Sequence, residues 1–464
     1  MRSSSLAKIA AIGVAGAMAL AACSNSTTAG TSSSASSTSS SSSAAASNVA
    51  PSSGGAAGSS SAPNSSAPSS GSGAGISSAA SSSAPSSGGA PSSSASAPSS
   101  AGGGGLGGGG DTIKIAFEGP LSGDNQQLGI NEVNAFRLAI EEANAKGDLG
   151  FKVEGLESDD VGDPSKAPAA AAKIVQDDAV VGVVGPSFSG ASKAVGKTYG
   201  EAGLAFMTPS ASNATLQDQG FPTFYRIIPN DNVEGTQGAE WLARKGVKDV
   251  YVIDDLSDYG KGVSDAVEKG LKAKGVKVTR QGVAASTTDY TATAQTVTSS
   301  GADVLFYGGY DAQAAKFAKS LKAAGFKGIK AAGNGVKSSV FTDGAGAAGD
   351  GWFFTCGCLD ATVAPEAKAF TAAYKAKWKV DPSTYSPEAY DAANAMIEAI
   401  KTAKKGGEVT RATVNTAVKA LDYKGITTTV KFQANGEPAG GTTVSLYTQK
   451  AGAIVSLGLL KDQN

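Results

Sequence analysis

Two short loops carry the densest hydroxyl chemistry in the chain, Gly185-Pro186-Ser187-Phe188-Ser189-Gly190 and Thr208-Pro209-Ser210-Ala211-Ser212. Neither matches the Gly-x-Ser-x-Gly turn that exposes a nucleophilic serine, and the 464 residues contain no histidine to activate one. The same absence removes Cys-His nucleophiles and the His-Glu-x-x-His zinc site. Asp and Glu are plentiful, but no spacing singles out a pair for carboxylate-assisted hydrolysis. An enzyme is therefore not expected, nor a cofactor or a metal centre. Hydroxyls and free backbone amides together suit a different role, because they hold a carboxylate through charge-assisted hydrogen bonds without Lys or Arg. The plain alternative is that both loops only cap helices.

Those loops sit where strands end. From residue 111 the apolar pattern alternates between short unbroken runs and longer helical stripes, as expected of βαβ units around a mostly parallel sheet. Residues 113–117 read as the first strand, followed by a Gly119-Pro120-Leu121-Ser122-Gly123 turn and a helix with Val133, Phe136 and Ile140 on one side, stopped at Lys146-Gly147. Further strands are expected at 151–156, 179–184 and 204–207, and Asp163-Pro164 reads as the start of an alanine-rich helix reaching about residue 177. The rhythm restarts with a helix over 234–245 and strands at 250–253, 276–283, 304–307, 329–331 and 352–355. Helices over about 365–378, 386–404 and 410–421 and a β-rich tail from Thr429 complete the chain. The fold class is α/β, with two lobes and a cleft between them. In open α/β sheets ligands bind beyond the carboxyl ends of strands, where both serine loops lie.

The amino terminus has a different character. Arg2 and Lys8 precede an apolar run over 9–22 too short to span a bilayer, so residues 1–22 read as a signal peptide. It closes on Leu20-Ala21-Ala22-Cys23, which resembles the lipobox of bacterial lipoproteins; Cys23 would become a lipid-modified amino terminus, and two acyl chains anchor stably where one is marginal. Residues 24–110 are almost entirely Ser, Ala, Gly, Pro and Thr, which cannot bury a core, so residues 23–110 are expected to be a disordered tether reaching about 50 Å on average. The other two cysteines stand in Thr355-Cys356-Gly357-Cys358. An oxidising exterior favours a disulfide between Cys356 and Cys358, with a free pair or a soft-metal site as the alternative. Lys and Arg number 39 against 40 Asp and Glu, and no basic cluster is interleaved with aromatics, so nucleic acid is not an expected partner.

Residues 111–464 resemble the solute-binding lipoproteins of branched-chain amino acid ABC importers, of the type I periplasmic-binding-protein fold. The resemblance rests on Ile113-Lys114-Ile115-Ala116 with the Gly119 to Gly123 turn, Asp159-Asp160 with Asp163-Pro164, and Val184-Gly185-Pro186-Ser187-Phe188-Ser189. Thr208-Pro209-Ser210-Ala211-Ser212, Asp258-Tyr259-Gly260-Lys261-Gly262 and Phe306-Tyr307-Gly308-Gly309-Tyr310 complete it, in order. It implies two doubly wound parallel-sheet lobes, about 111–226 with 359–432 and 227–358 with 433–464, joined by three crossings near 225–229, 355–360 and 431–436. It implies that Ser189, Ser210 and Ser212 bind a ligand carboxylate and that Tyr259 and Tyr310 face the cleft. Two positions depart from the family. Asn334 stands where an acid pairs with the ligand ammonium, so either another carboxylate supplies that charge, with Asp311, Asp254, Asp255 and Glu118 as candidates, or the ligand is not a free α-amino acid. Leu128 stands where an aromatic covers the ligand. The family's first-lobe disulfide is replaced by Gly162 and Phe188. The implied function is capture of an amino acid or related small carboxylate for an ABC permease and its ATPase subunits, at the extracellular face of the cell membrane. The alternative is a sensing module of the same fold for amides, urea or aromatic acids.

Overall fold

The computed structural model describes residues 112–440 and 443–463, all within one compact unit, Ser99–Asn464. The expected signal peptide, the lipidated Cys23 and the tether lie outside the described residues.

In chain order, β1 (Thr112–Gly119), α1 (Gln126–Lys146), β2 (Lys152–Asp159), α2 (Ala167–Val175), β3 (Val180–Val184), α3 (Ser189–Glu201), β4 (Ala205–Thr208) and β5 (Phe224–Arg226) build the first sheet and its helices. The strands are parallel in the order β2-β1-β3-β4-β5. Val180 to Val184 is buried throughout, as a strand covered on both faces must be. Gly147 takes the left-handed conformation that ends α1, at φ 68°.

The chain then enters α4 (Asp231–Arg244), β6 (Asp249–Asp254), α5 (Asp258–Ala273), β7 (Lys277–Gly282), α6 (Thr291–Ser299), β8 (Val304–Gly308), α7 (Asp311–Ala323), β9 (Ile329–Ala332), α8 (Ser339–Ala345) and β10 (Trp352–Cys356). It next forms α9 (Lys368–Trp378), α10 (Ser386–Lys405) and α11 (Arg411–Lys419), of which α10 and α11 pack on β3 and β4 of the first sheet. The fit is close: Gly182 of β3 leaves room for the Met396 side chain of α10, whose sulfur would lie 2.3 Å from a Cβ at that position. A short β11 (Tyr423–Lys424) and β12 (Thr429–Val430) pair follows, and β13 (Ser445–Lys450) and β14 (Ala453–Leu459) return to the second sheet. The second sheet runs β14-β13-β10-β9-β8-β6-β7. The chain thus passes between the sheets after β5, after β10 and after β12. Cys356 and Cys358 are joined by a disulfide at the second passage.

Two expectations need correction. The second sheet is not wholly parallel: β13 pairs antiparallel with β10 and, across a tight turn at Ala451-Gly452 in place of a crossover helix, with β14. Helix α2 also starts later than Asp163-Pro164. The Asp163 carboxylate accepts the Ser165 amide at 2.8 Å, closing a separate turn before the helix, which then opens at Ala167-Pro168. Among the described residues no helix is long and apolar enough to cross a membrane.

Candidate functional site

The loops that follow β3, β4, β8 and β9, with the first turn of α5, converge on one narrow cavity between the two sheets. The first sheet contributes Ser187, Phe188, Ser189 and Ser210, and α1 adds Leu128. The other wall is Tyr259, Tyr310, Asn334 and Gly335, with Tyr385 entering from the residue before α10. The cavity volume is about 10 Å³, room for about one water, so a solute can enter only if the walls move apart.

On the first wall, Ser189 is the first residue of α3, and no side chain caps the amides of that turn. Free amides at a helix start favour an anion. The Ser189 hydroxyl accepts the Asn213 amide at 3.1 Å, which leaves its proton to be donated elsewhere. Ser210 donates to the Ser187 carbonyl at 2.7 Å. Behind them Glu132 is fully buried and accepts the Ser187 hydroxyl at 2.6 Å. Burial pushes the Glu132 carboxyl up to about 8, so it is mostly neutral at pH 7 and does not repel a carboxylate in front of it. Ser212 does not reach the cavity: it lies one layer back, its carbonyl accepting the Asp231 amide at 2.8 Å.

The opposite wall is aromatic. Tyr310 stacks on Phe188 across the cleft with ring centroids 4.3 Å apart, and Tyr259 lies 5.2 Å from Tyr310. The Tyr259 hydroxyl accepts the Gly335 amide at 3.0 Å. Tyr385 is held in the left-handed region at φ 66°, and its buried hydroxyl has no hydrogen-bond partner. Burial first, and then nearby carboxylates including Glu234 and Asp231, raise the phenols of Tyr259 and Tyr385 far above the ordinary tyrosine range. Burial does the same to Tyr310, so all three tyrosines are neutral donors.

Leu128, Ser189, Ser210, Tyr259, Tyr310 and Asn334 are thus brought together, and Ser212 is not. None of the four acids expected to balance an ammonium lines the cavity. Asp311 accepts Ser338 and Asn125, Asp254 pairs with Arg280 at 2.8 Å, Asp255 holds the Ser257 amide at 2.9 Å, and Glu118 is bonded by Tyr199. Reading the sequence missed Tyr385 and Glu234. The carboxylate of Glu234, on the first turn of α4, accepts the Asn334 amide at 3.1 Å, the Asn334 side-chain nitrogen at 2.7 Å and the Thr355 hydroxyl at 2.7 Å. A Pro at the start of α10 marked a helix beginning beside Tyr385; no local pattern pointed to Glu234.

Further contacts bridge the halves beyond the cavity. Asn125, before α1, donates to Asp311 at 2.6 Å and to Gln313 at 3.3 Å, and Lys316 faces Asp124 at 3.8 Å. Lys193 of α3 pairs with Asp258 of α5 at 2.7 Å, and Asn213 donates to the Asp258 carbonyl at 2.6 Å. Lys337 reaches Thr384 at 3.1 Å, and the Thr384 hydroxyl donates back to the Lys337 carbonyl at 2.5 Å.

Comparison with known proteins agrees with this architecture. The family model described as periplasmic binding protein matches residues 112–452. The leucine-, isoleucine-, valine-, threonine- and alanine-binding protein of Pseudomonas aeruginosa is 30% identical over 330 residues, 70% of this chain and 87% of that protein. The Leu/Ile/Val-binding protein BraC3 of Rhizobium johnstonii is 31% identical over 354 residues, covering 74% and 93%. Among solved structures, the branched-chain amino acid transporter substrate-binding protein LivJ of Streptococcus pneumoniae, in complex with isoleucine, superposes with a TM-score of 0.68 at 26% identity, over 75% of this chain and all of that one. With the family model spanning most of its length and two sheets meeting at a closed cleft, this chain belongs to the periplasmic binding protein family.

Proposed function

We propose that this chain is the solute-binding component of an ABC importer, capturing a branched-chain or similar amino acid, or a related small carboxylate. It passes that cargo to permease subunits driven by their ATPase. The observation that carries this reading is the pairing, in one closed cavity, of the Ser189 hydroxyl at the start of α3 and the Ser210 hydroxyl after β4 with the phenols of Tyr259, Tyr310 and Tyr385. Such a wall holds a carboxylate, and the facing aromatic wall covers an apolar body. Named relatives bind leucine, isoleucine and valine, which supports the same cargo class here. Cys23, lipid-modified, would keep the binding unit at the extracellular face of the membrane, and a chain labelled with acyl precursor that loses the label in a Cys23→Ala variant checks that point.

A second reading has one observation in its favour: no charged side chain lines the cavity, which suits an amide, urea or an aromatic acid sensed rather than imported. Calorimetry against amino acids, amides and aromatic acids separates the two. The proposal expects one tight amino acid or carboxylate ligand, weakened about tenfold or more in a Ser189→Ala variant. An unchanged Ser189→Ala affinity refutes the site.

A further inference from the structure

An ammonium group buried without an anion is costly, and the cavity offers no acid among its lining side chains. Two buried carboxylates nevertheless stand directly behind the wall. Glu132 backs the serine side and is held neutral by burial, with Glu388 and Asp160 adding to that effect. Glu234 backs the opposite side, beneath Asn334, and differs in its hydrogen bonds. Both its oxygens are occupied: the Asn334 amide and the Thr355 hydroxyl donate to one and the Asn334 side-chain nitrogen to the other, at 3.1, 2.7 and 2.7 Å. Burial raises the Glu234 carboxyl above its ordinary range, and bonds of this kind oppose that rise by favouring the charged carboxylate. No Lys or Arg forms an ion pair with Glu234 among the described residues.

Asn334 is fixed by the same contacts. With one side-chain N–H committed to Glu234, its side-chain oxygen is the acceptor it has for the cavity, and a donor bond to an anion makes that oxygen a stronger acceptor. We infer that the counter-charge for a ligand ammonium is carried by Glu234 and delivered through the Asn334 side-chain oxygen, so that the Glu234 and Asn334 pair selects α-amino acids over their deaminated analogues. Glu234 is a positioning residue, because it touches the ligand only through Asn334. This rests on the reading of the cavity as a site for a small carboxylate, and narrows it to zwitterions.

The test measures affinity of the full chain for leucine, isoleucine, valine and alanine, each against the acid that lacks only the amino group, such as 4-methylpentanoate for leucine. The parent should prefer the amino acids. Glu234→Gln should lower that preference about tenfold to a hundredfold, the span a unit charge one side chain away carries in a protein interior, while affinity for the deaminated acids stays the same. The double variant Glu234→Gln, Asn334→Asp moves the charge to the cavity wall and should restore the preference, which a purely structural role for Glu234 does not predict. Equal losses for both ligand types, unrestored in the double variant, overturn the inference. A parent that binds the deaminated acids at least as well overturns it and leaves the carboxylate site standing. A parent that binds neither set overturns both.

Discussion

Replacing Asn125 by Ala removes a contact that exists only while the two halves are together. Asn125 lies before α1 on the first sheet, and Asp311 opens α7 on the second. The side chain donates to the buried Asp311 carboxylate at 2.6 Å. Asp311 keeps the Ser338 hydroxyl at 2.5 Å and the Ala312 amide at 2.8 Å after the change, so it is not stranded. The main loss is the hydrogen bond to the Asp311 carboxyl, about 1.5 kcal/mol, and the longer bond to Gln313 at 3.3 Å goes with it. Where the ligand-free protein is mainly open, closing is part of the binding free energy, and the dissociation constant should rise about tenfold. Lys193→Ala provides the contrast. Its ion pair with Asp258 is as short, 2.7 Å, but the side chains are 47% and 34% exposed; exposed pairs contribute about 0–1 kcal/mol, so at most about a fivefold loss is expected. Calorimetry with the tightest ligand, supported by small-angle scattering of the free and saturated proteins, reads both. An Asn125→Ala variant that binds as tightly as the parent, or a larger loss at Lys193, would refute the assignment of closing energy to the buried contact.

Two other outcomes follow from buried groups. Burial, opposed by the Ser212 hydroxyl, pushes the Asp231 carboxyl up to about 8 from 3.8. The folded state therefore holds a proton that the unfolded chain releases near pH 4, and stability falls as pH rises through that window, by up to about 1.4 kcal/mol per pH unit. Asp231→Asn removes this proton, so its melting temperature should drop less between pH 5 and pH 8 than the parent's; equal slopes would count against the assignment. Gly182→Ala places a methyl against the Met396 sulfur, and urea unfolding should show a loss of about 1–3 kcal/mol as α10 is pushed off β3.

The strands over Val180–Val184 and Val304–Gly308 were legible because buried parallel strands are apolar at every position. The three-residue β5 was too short to show a pattern, and its residues read as a crossing. The pairing of β13 and β14 was hidden for another reason: a β-rich composition shows strands, while their direction is set by the turn between them. In the site, the serine loops stood out because each follows a strand. Tyr385 was invisible, since its place depends on α10 lying across β3 and α1, and Glu234 is revealed only by hydrogen bonds to a residue 100 positions away.

Phe188 has a second neighbour besides Tyr310. Its ring lies over Gly162, where an added Cβ would come within 2.8 Å, and Gly162 sits at φ +72°. Gly162 is outside the cavity and touches no solute held there. Any side chain at 162 would nonetheless force the Phe188 ring or the backbone beside it to shift, and so reshape the space between the walls. Ligand preference in this lineage can therefore drift, or be engineered, by exchanges at a rim glycine while every lining residue stays the same, and homologues with identical linings need not share a cargo.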